Sequence, residues 1–351
     1  MQHRTRSGAA AATAADAAAR VERLRYNFLS CLFLAAQNGF GQDVEPFLAL
    51  SRETWGEEQL WDAVKDLPHG CVRREGPARW DAEEPFGFDL GPFSAGRTHV
   101  MYAAQAGDAA RLRWLIARGA RLELKDWKGR TALLWASEEG RVEAVRELLA
   151  RGAAVGTANN DGATPLYIAS VWGHFEVVRE LLAGGAAVDA AYEYSTPLHI
   201  ASIKGHIKVV RELLARGAAV NSANKYGSTP LLFASQGGYL EMVQELLAHG
   251  AAVNEVNQDY ITPLYRASQK GHFEVLRALA AGGAAVDAPD NRGRTPLYIA
   301  SREGRLEMVQ ELLALGANPG FVADGGSTPL SIATELGHAA IVQLLRAAVK
   351  K

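Results

Sequence analysis

The sequence predicts an all-α protein built as a stack of helix pairs joined by projecting, hairpin-like loops. Three observations carry this. Threonines that open a similar phrase stand at 98, 131, 164, 196, 229, 262, 295 and 328, spaced by 33 residues except for one interval of 32. Each phrase holds a short apolar run ending at a glycine, and a second apolar run follows, closed by another glycine in every unit but the last. A fixed period in this range marks an architecture in which each unit buries its apolar face on its neighbours.

Each element follows from residue chemistry. In Thr196-Pro197-Leu198-His199-Ile200-Ala201-Ser202 the threonine hydroxyl can cap a helix. Proline fits the first helical position, where the N–H has no intrahelical partner anyway. Leu198, Ile200 and Ala201 give this helix an apolar side, and Gly205 can end it in a left-handed conformation. Val209, Val210, Leu213 and Leu214 then form one stripe of a second amphipathic helix, whose other side carries Lys208, Arg211 and Glu212. Gly217 closes it, and the Asn- and Gly-rich stretch 219–227 reads as a turn into the next unit. The phrases at 164 and 295 repeat the pattern, as Thr164-Pro165-Leu166-Tyr167 and Thr295-Pro296-Leu297-Tyr298.

With its 33-residue period, its T-P-L-H-x-A phrase and its G-x-x-x-V-x-x-L-L-x-x-G-A phrase, the region 98–351 resembles the ankyrin repeat, in eight units. The resemblance implies stacked helix pairs with loops along one edge and a concave face of first helices and loop tips. It also implies that the activity is binding another protein, and that the chain is not an enzyme. Leu32-Phe33-Leu34-Ala35-Ala36 through Leu48 resembles a degenerate unit that caps the stack, within a helical region at 20–67. Residues 1–19 read as a flexible Ala-rich tail and 68–97 as a long loop. The stretch from Leu48 through Trp55 to Trp61 also resembles the second half of an F-box, though without its Leu-Pro opening. That resemblance implies the alternative function, a substrate-recruiting adaptor of a ubiquitin ligase.

Composition narrows the classes. Lys+Arg 37 against Asp+Glu 39 gives a net charge of -2, so no polybasic field supports nucleic acid as the main partner. Two cysteines, Cys31 and Cys71, exclude a disulfide framework and point to a reducing compartment, the cytoplasm or nucleus. No apolar run approaches the roughly 20 residues of a membrane span. The basic, acid-poor start leaves an organelle transit peptide as the alternative address. The expected molecule is a monomer with no membrane association.

No phosphate-cradling glycine loop, nucleophile elbow or zincin string occurs, and no cofactor or metal is expected. His174, His206, His272 and His338 follow the mid-unit glycine, one per unit. Helices packing about 8–10 Å apart separate them too far to share a metal, so they read as turn histidines bonding a neighbour's backbone. Glu143, Glu176, Glu241, Glu274 and Glu307 read as a solvated face pairing with Arg146, Arg179 and similar residues.

A partner would be read by positions the template leaves free. The loops offer Trp127, Tyr192, Tyr194, Tyr226 and Tyr260, and the first helices offer Trp172, Tyr265 and Arg266. Exposed aromatic rings are the side chains that most often dominate binding. The template also breaks here. The 192–195 loop is one residue short, Tyr260 stands where most units have glycine, and Arg266 replaces an apolar residue. Rule-breaking of this kind tends to mark function, which centres the expected surface on the units opening at 164, 196, 229 and 262.

Overall fold

The computed structural model describes residues 97–349. The expected tail, the 20–67 region with its F-box-like stretch, Cys31, Cys71 and nearly all of the 68–97 loop lie outside the described residues. The chain divides into two compact units, 1–154 and 155–351. Among the described residues all regular structure is helical, in sixteen α-helices that alternate as pairs.

Within the first unit, α1 (His99–Ala106) pairs with α2 (Ala109–Ala117), and α3 (Ala132–Glu138) with α4 (Val142–Ala150). Thr98 and Thr131 cap α1 and α3 through their side chains, although neither helix has proline at its first position. Val100, Met101, Leu112, Leu115, Leu133, Leu134, Val145 and Leu148 fill the core. Asp126 anchors the loop before α3. One of its carboxylate oxygens accepts the Lys128 and Arg130 backbone N–H groups, and the other accepts Arg130 Nε and Trp135 Nε1. The guanidinium groups of Arg97 and Arg130 each lie over the buried Trp135 ring, 3.6 and 3.5 Å from its centre. Trp135 is thereby fixed from both the polar and the aromatic side.

The second unit continues the alternation in six pairs. These are α5 (Pro165–Trp172) with α6 (Phe175–Ala183), α7 (Pro197–Lys204) with α8 (Ile207–Ala215), and α9 (Pro230–Gly237) with α10 (Leu240–Ala248). They continue as α11 (Pro263–Lys270) with α12 (Phe273–Ala281), α13 (Pro296–Arg302) with α14 (Leu306–Ala314), and α15 (Pro329–Glu335) with α16 (Ala339–Val349). Each first helix packs on its own partner and on the first helices of adjoining pairs. Threonine caps all six first helices by accepting the backbone N–H three residues on, and proline follows each cap. Val177, Val178, Leu181, Val209, Val210, Leu213, Val243 and Leu246 bury the stripe read from the sequence.

The mid-unit histidines act between neighbouring pairs. The Nε2 atoms of His206, His272 and His338 lie 3.1, 3.0 and 3.1 Å from the carbonyls of Val171, Gln236 and Arg302. Those carbonyls end the preceding first helices, where no intrahelical N–H is left to bond them. Gly173 shows why this junction needs glycine. It is left-handed at φ 74, and a Cβ there would stand 2.6 Å from His206 Nδ1. Each glycine thus ends one helix and admits the neighbour's ring.

Candidate functional site

Three consecutive loops between pairs in the second unit share one construction. At 224–228 and 257–261 an asparagine side chain accepts two backbone N–H groups of its own loop, Tyr226 and Ser228 on Asn224, Asp259 and Ile261 on Asn257. Asp290 does the same for Arg292 and Arg294. The tips are then stitched together. Gln258 N donates to Tyr226 O, Asn291 N to Asp259 O and Asp324 N to Arg292 O, at 2.9, 3.0 and 3.0 Å. These successive loops form a hydrogen-bonded edge, and one isolated bridge, Tyr192 with Ser195, is the nearest approach to sheet among the described residues.

A left-handed residue two places before the cap threonine completes each loop. Glycine fills that place at 162, 227, 293 and 326, whereas Tyr194 and Tyr260 fill it at φ 68 and 58. The second of these substitutions was visible in the sequence. The first was hidden because its loop is one residue short. Tyr192 and Ser195 exchange backbone hydrogen bonds of 2.9 and 2.8 Å around Glu193 and Tyr194, both at positive φ. That is the signature of a two-residue type I′ turn, which ordinarily takes Asn-Gly. Holding a tyrosine left-handed costs about 1–2 kcal/mol. Both rings nonetheless face water, Tyr194 70% and Tyr260 61% exposed, so burial does not offset that cost.

The other expected contact residues divide. Tyr226 and Trp172 are exposed at 56% and 57%, and in the first unit Trp127 is exposed at 77%. Tyr192 is half-buried, with its ring centre 5.0 Å from that of Tyr167, so it packs the loop against α5. Tyr265 requires correction: it is 1% exposed, in a core with Leu232, Ile261 and Ile299. Its hydroxyl donates to Asp290 at 2.9 Å, and Asp290 also accepts both Nε and Nη2 of Arg294. Burial and the neighbouring Asp290 charge push the Tyr265 phenol well above its usual range. Burial alone would raise the Asp290 pKa, but the Arg294, Arg292 and Tyr265 hydrogen bonds outweigh it and hold the carboxyl below its usual value. Tyr265 is therefore a strut between α11 and the next loop.

The equivalent position bears the same role in another unit. His199 occupies the same place in its unit and reaches the next loop through Nε2, 3.1 Å from Ser228 O. Its Nδ1 accepts from the Thr196 N–H, closing a reciprocal cap. The two contacts together define the Nε2–H tautomer, and burial lowers the His199 pKa.

Arg266 stands where most units have an apolar residue. Its position is half-buried, as are those of Ile168, Ile200, Phe233 and Ile332 in other units, whereas Ile299 and Trp135 are buried there. Its Nη1 donates to Gln269 at 2.8 Å, while Nε is buried with no acceptor. Beyond it the first helices end in Ile203, Lys204, Gln236 and Lys270, all exposed, and the half-buried Gln269 and Arg302.

Helix pairs in register, a stitched loop edge and exposed rings on that edge define a helical-repeat scaffold of the interaction type. A family model described as ankyrin repeats in three copies matches residues 100–192, 185–257 and 233–322. The chain belongs to the ankyrin repeat family, whose members generally serve as protein-interaction modules. Among solved structures it is similar to the crystal structure of the human ASB11 ankyrin repeat domain, at 29% identity and a TM-score of 0.59, covering 64% of this chain and 100% of that one. A search of curated proteins finds no match. Among the described residues no helix is long and apolar enough to cross a membrane.

Proposed function

We propose that the protein is a binding scaffold of eight ankyrin units that holds a partner protein or peptide on the loop-tip edge and adjoining first-helix ends of its second unit. It acts as a monomer in the cytoplasm or nucleus, without a cofactor. The observation that carries this is the pair of tyrosines, Tyr194 and Tyr260, each at positive φ in a glycine position and each exposed. Local strain borne by exposed aromatic groups is intelligible when the gain comes on binding, where a buried ring is worth roughly 2 kcal/mol or more. Trp172 and Tyr226 extend the same apolar character along the unit.

The test is a quantitative pull-down comparing the intact chain, Tyr194→Ala/Tyr226→Ala/Tyr260→Ala, and a chain lacking residues 1–97, each first shown helical by circular dichroism. The expected result is a partner lost with the tyrosines and kept by the truncated chain. A partner lost only with residues 1–97 contradicts the reading and moves the function to the N-terminal segment.

A further inference from the structure

Several arginines on the second helices of the second unit are ion-paired. On the second helices Arg179 meets Glu176 at 2.6 Å, Arg211 meets Glu241 and Glu245 at 2.7 and 2.8 Å, and Arg277 meets Glu311 at 3.3 Å. At the first-helix ends Arg302 meets Glu303 at 2.7 Å, but three other cations stand without such a partner. Among the described residues Lys204, Arg266 and Lys270 have no carboxylate within the 4.0 Å of an ion pair. The loop tips carry both signs, with Lys225 and Arg292 set among Glu193, Asp259 and Asp324. The first-helix ends thus hold Lys204, Arg266, Lys270 and Arg302 against Glu303 and Glu335, a positive excess in a chain whose net charge is -2.

Position turns these charges into a track. Lys204 and Lys270 end α7 and α11 at equivalent places, and the helix between them, α9, has Gly237 there and so presents no side chain. Arg266 lies one turn before Lys270, on the same side of α11. Adjacent helices pack about 8–10 Å apart, so two steps separate the lysines by about 16–20 Å. An extended chain advancing about 3.3 Å per residue covers that distance in about five or six residues. A half-buried guanidinium with no counter-ion is a site whose charge a carboxylate would complete.

We propose that this track seats an extended acidic segment of the partner, with one carboxylate on Arg266 and others on Lys204 and Lys270, about five or six residues apart. This rests on the binding surface proposed above and gives its ligand a chemistry. Selection of displayed random peptides of about twelve residues, long enough to span the track, tests it. The intact chain is the bait, and binders are measured by fluorescence anisotropy. The expected result is a pool enriched in Asp and Glu, whose affinity falls about tenfold or more in Lys204→Gln/Arg266→Leu/Lys270→Gln and also weakens as salt is raised. Arg266→Leu alone, which installs the apolar type found in other units, keeps a folded variant in hand.

Peptides without acidic enrichment, sensitive to Tyr194→Ala/Tyr226→Ala/Tyr260→Ala but not to the cation variant, overturn the acidic ligand and leave the surface standing. Peptides that bind all three proteins alike, or no selected peptide at all, overturn both. An oligothymidylate that outcompetes the acidic peptides, and loses its binding in the cation variant, assigns the track to nucleic acid instead.

Discussion

Replacing Tyr194 and Tyr260 by glycine should make the protein more stable, an unusual direction for removing two aromatic side chains. Both residues sit in the left-handed region, at φ 68 and 58. Relieving that conformation returns about 1–2 kcal/mol per site. Glycine gives back about 0.5–1 kcal/mol through its greater freedom in the unfolded chain. With the rings 70% and 61% exposed, little apolar burial is forfeited. The two sites lie in separate loops and should add, for a net gain of about 1.5 kcal/mol. In a unit of this size that raises the melting temperature by about 3–6 °C. Thermal melting followed by circular dichroism is the assay, with Tyr226→Gly as control, because Tyr226 is comparably exposed but has no positive φ. The control should melt at or below the native chain. A double variant that does the same refutes the strain argument.

Other consequences follow from the same contacts. Gly173→Ala should lower stability by more than 2 kcal/mol, because its Cβ would meet His206, whereas Gly217→Ala, at φ 83 in open space, should lose only the left-handed cost of about 1–2 kcal/mol; denaturant midpoints compare them. Tyr265→Phe should cost about 1–2 kcal/mol by removing a buried donor from Asp290, without changing partner affinity in titration. His199 is held neutral, its folded pKa below the ordinary 6.5, so its contribution is intact above that value and is lost as pH falls below it. The melting temperature should therefore drop as pH falls below 6.5, and His199→Gln should flatten that slope.

How much of this was legible depends on whether a residue acts inside its own unit or on its neighbour. The threonine caps, the leading prolines and the Val-Val-Leu-Leu stripes act locally, and 33-residue periodicity displays them many times over. The fold class therefore followed from spacing alone. Tyr194 was missed as a strained residue because its loop is one residue short, so a 33-residue step from Gly162 lands on Ser195 instead. Tyr265 was placed on the surface because a tyrosine suits a core and an interface equally, and only its tie to Asp290, 25 residues on, decides between them. The acidic outer face is likewise paired both within a helix, as Arg146 with Glu143, and across pairs, as Arg211 with Glu245. Spacing suggests the first kind and is silent on the second.

The central claim is that the partner sits on the loop edge of the second unit and not on its second-helix face. Photo-crosslinking tests it most directly, with benzoylphenylalanine placed singly at Tyr226, at Tyr260, and at Gln244 on the exposed side of α10. One and the same partner crosslinked from 226 and 260, and not from 244, is the result the account predicts. The same partner captured from 244 and not from the loop tips contradicts it.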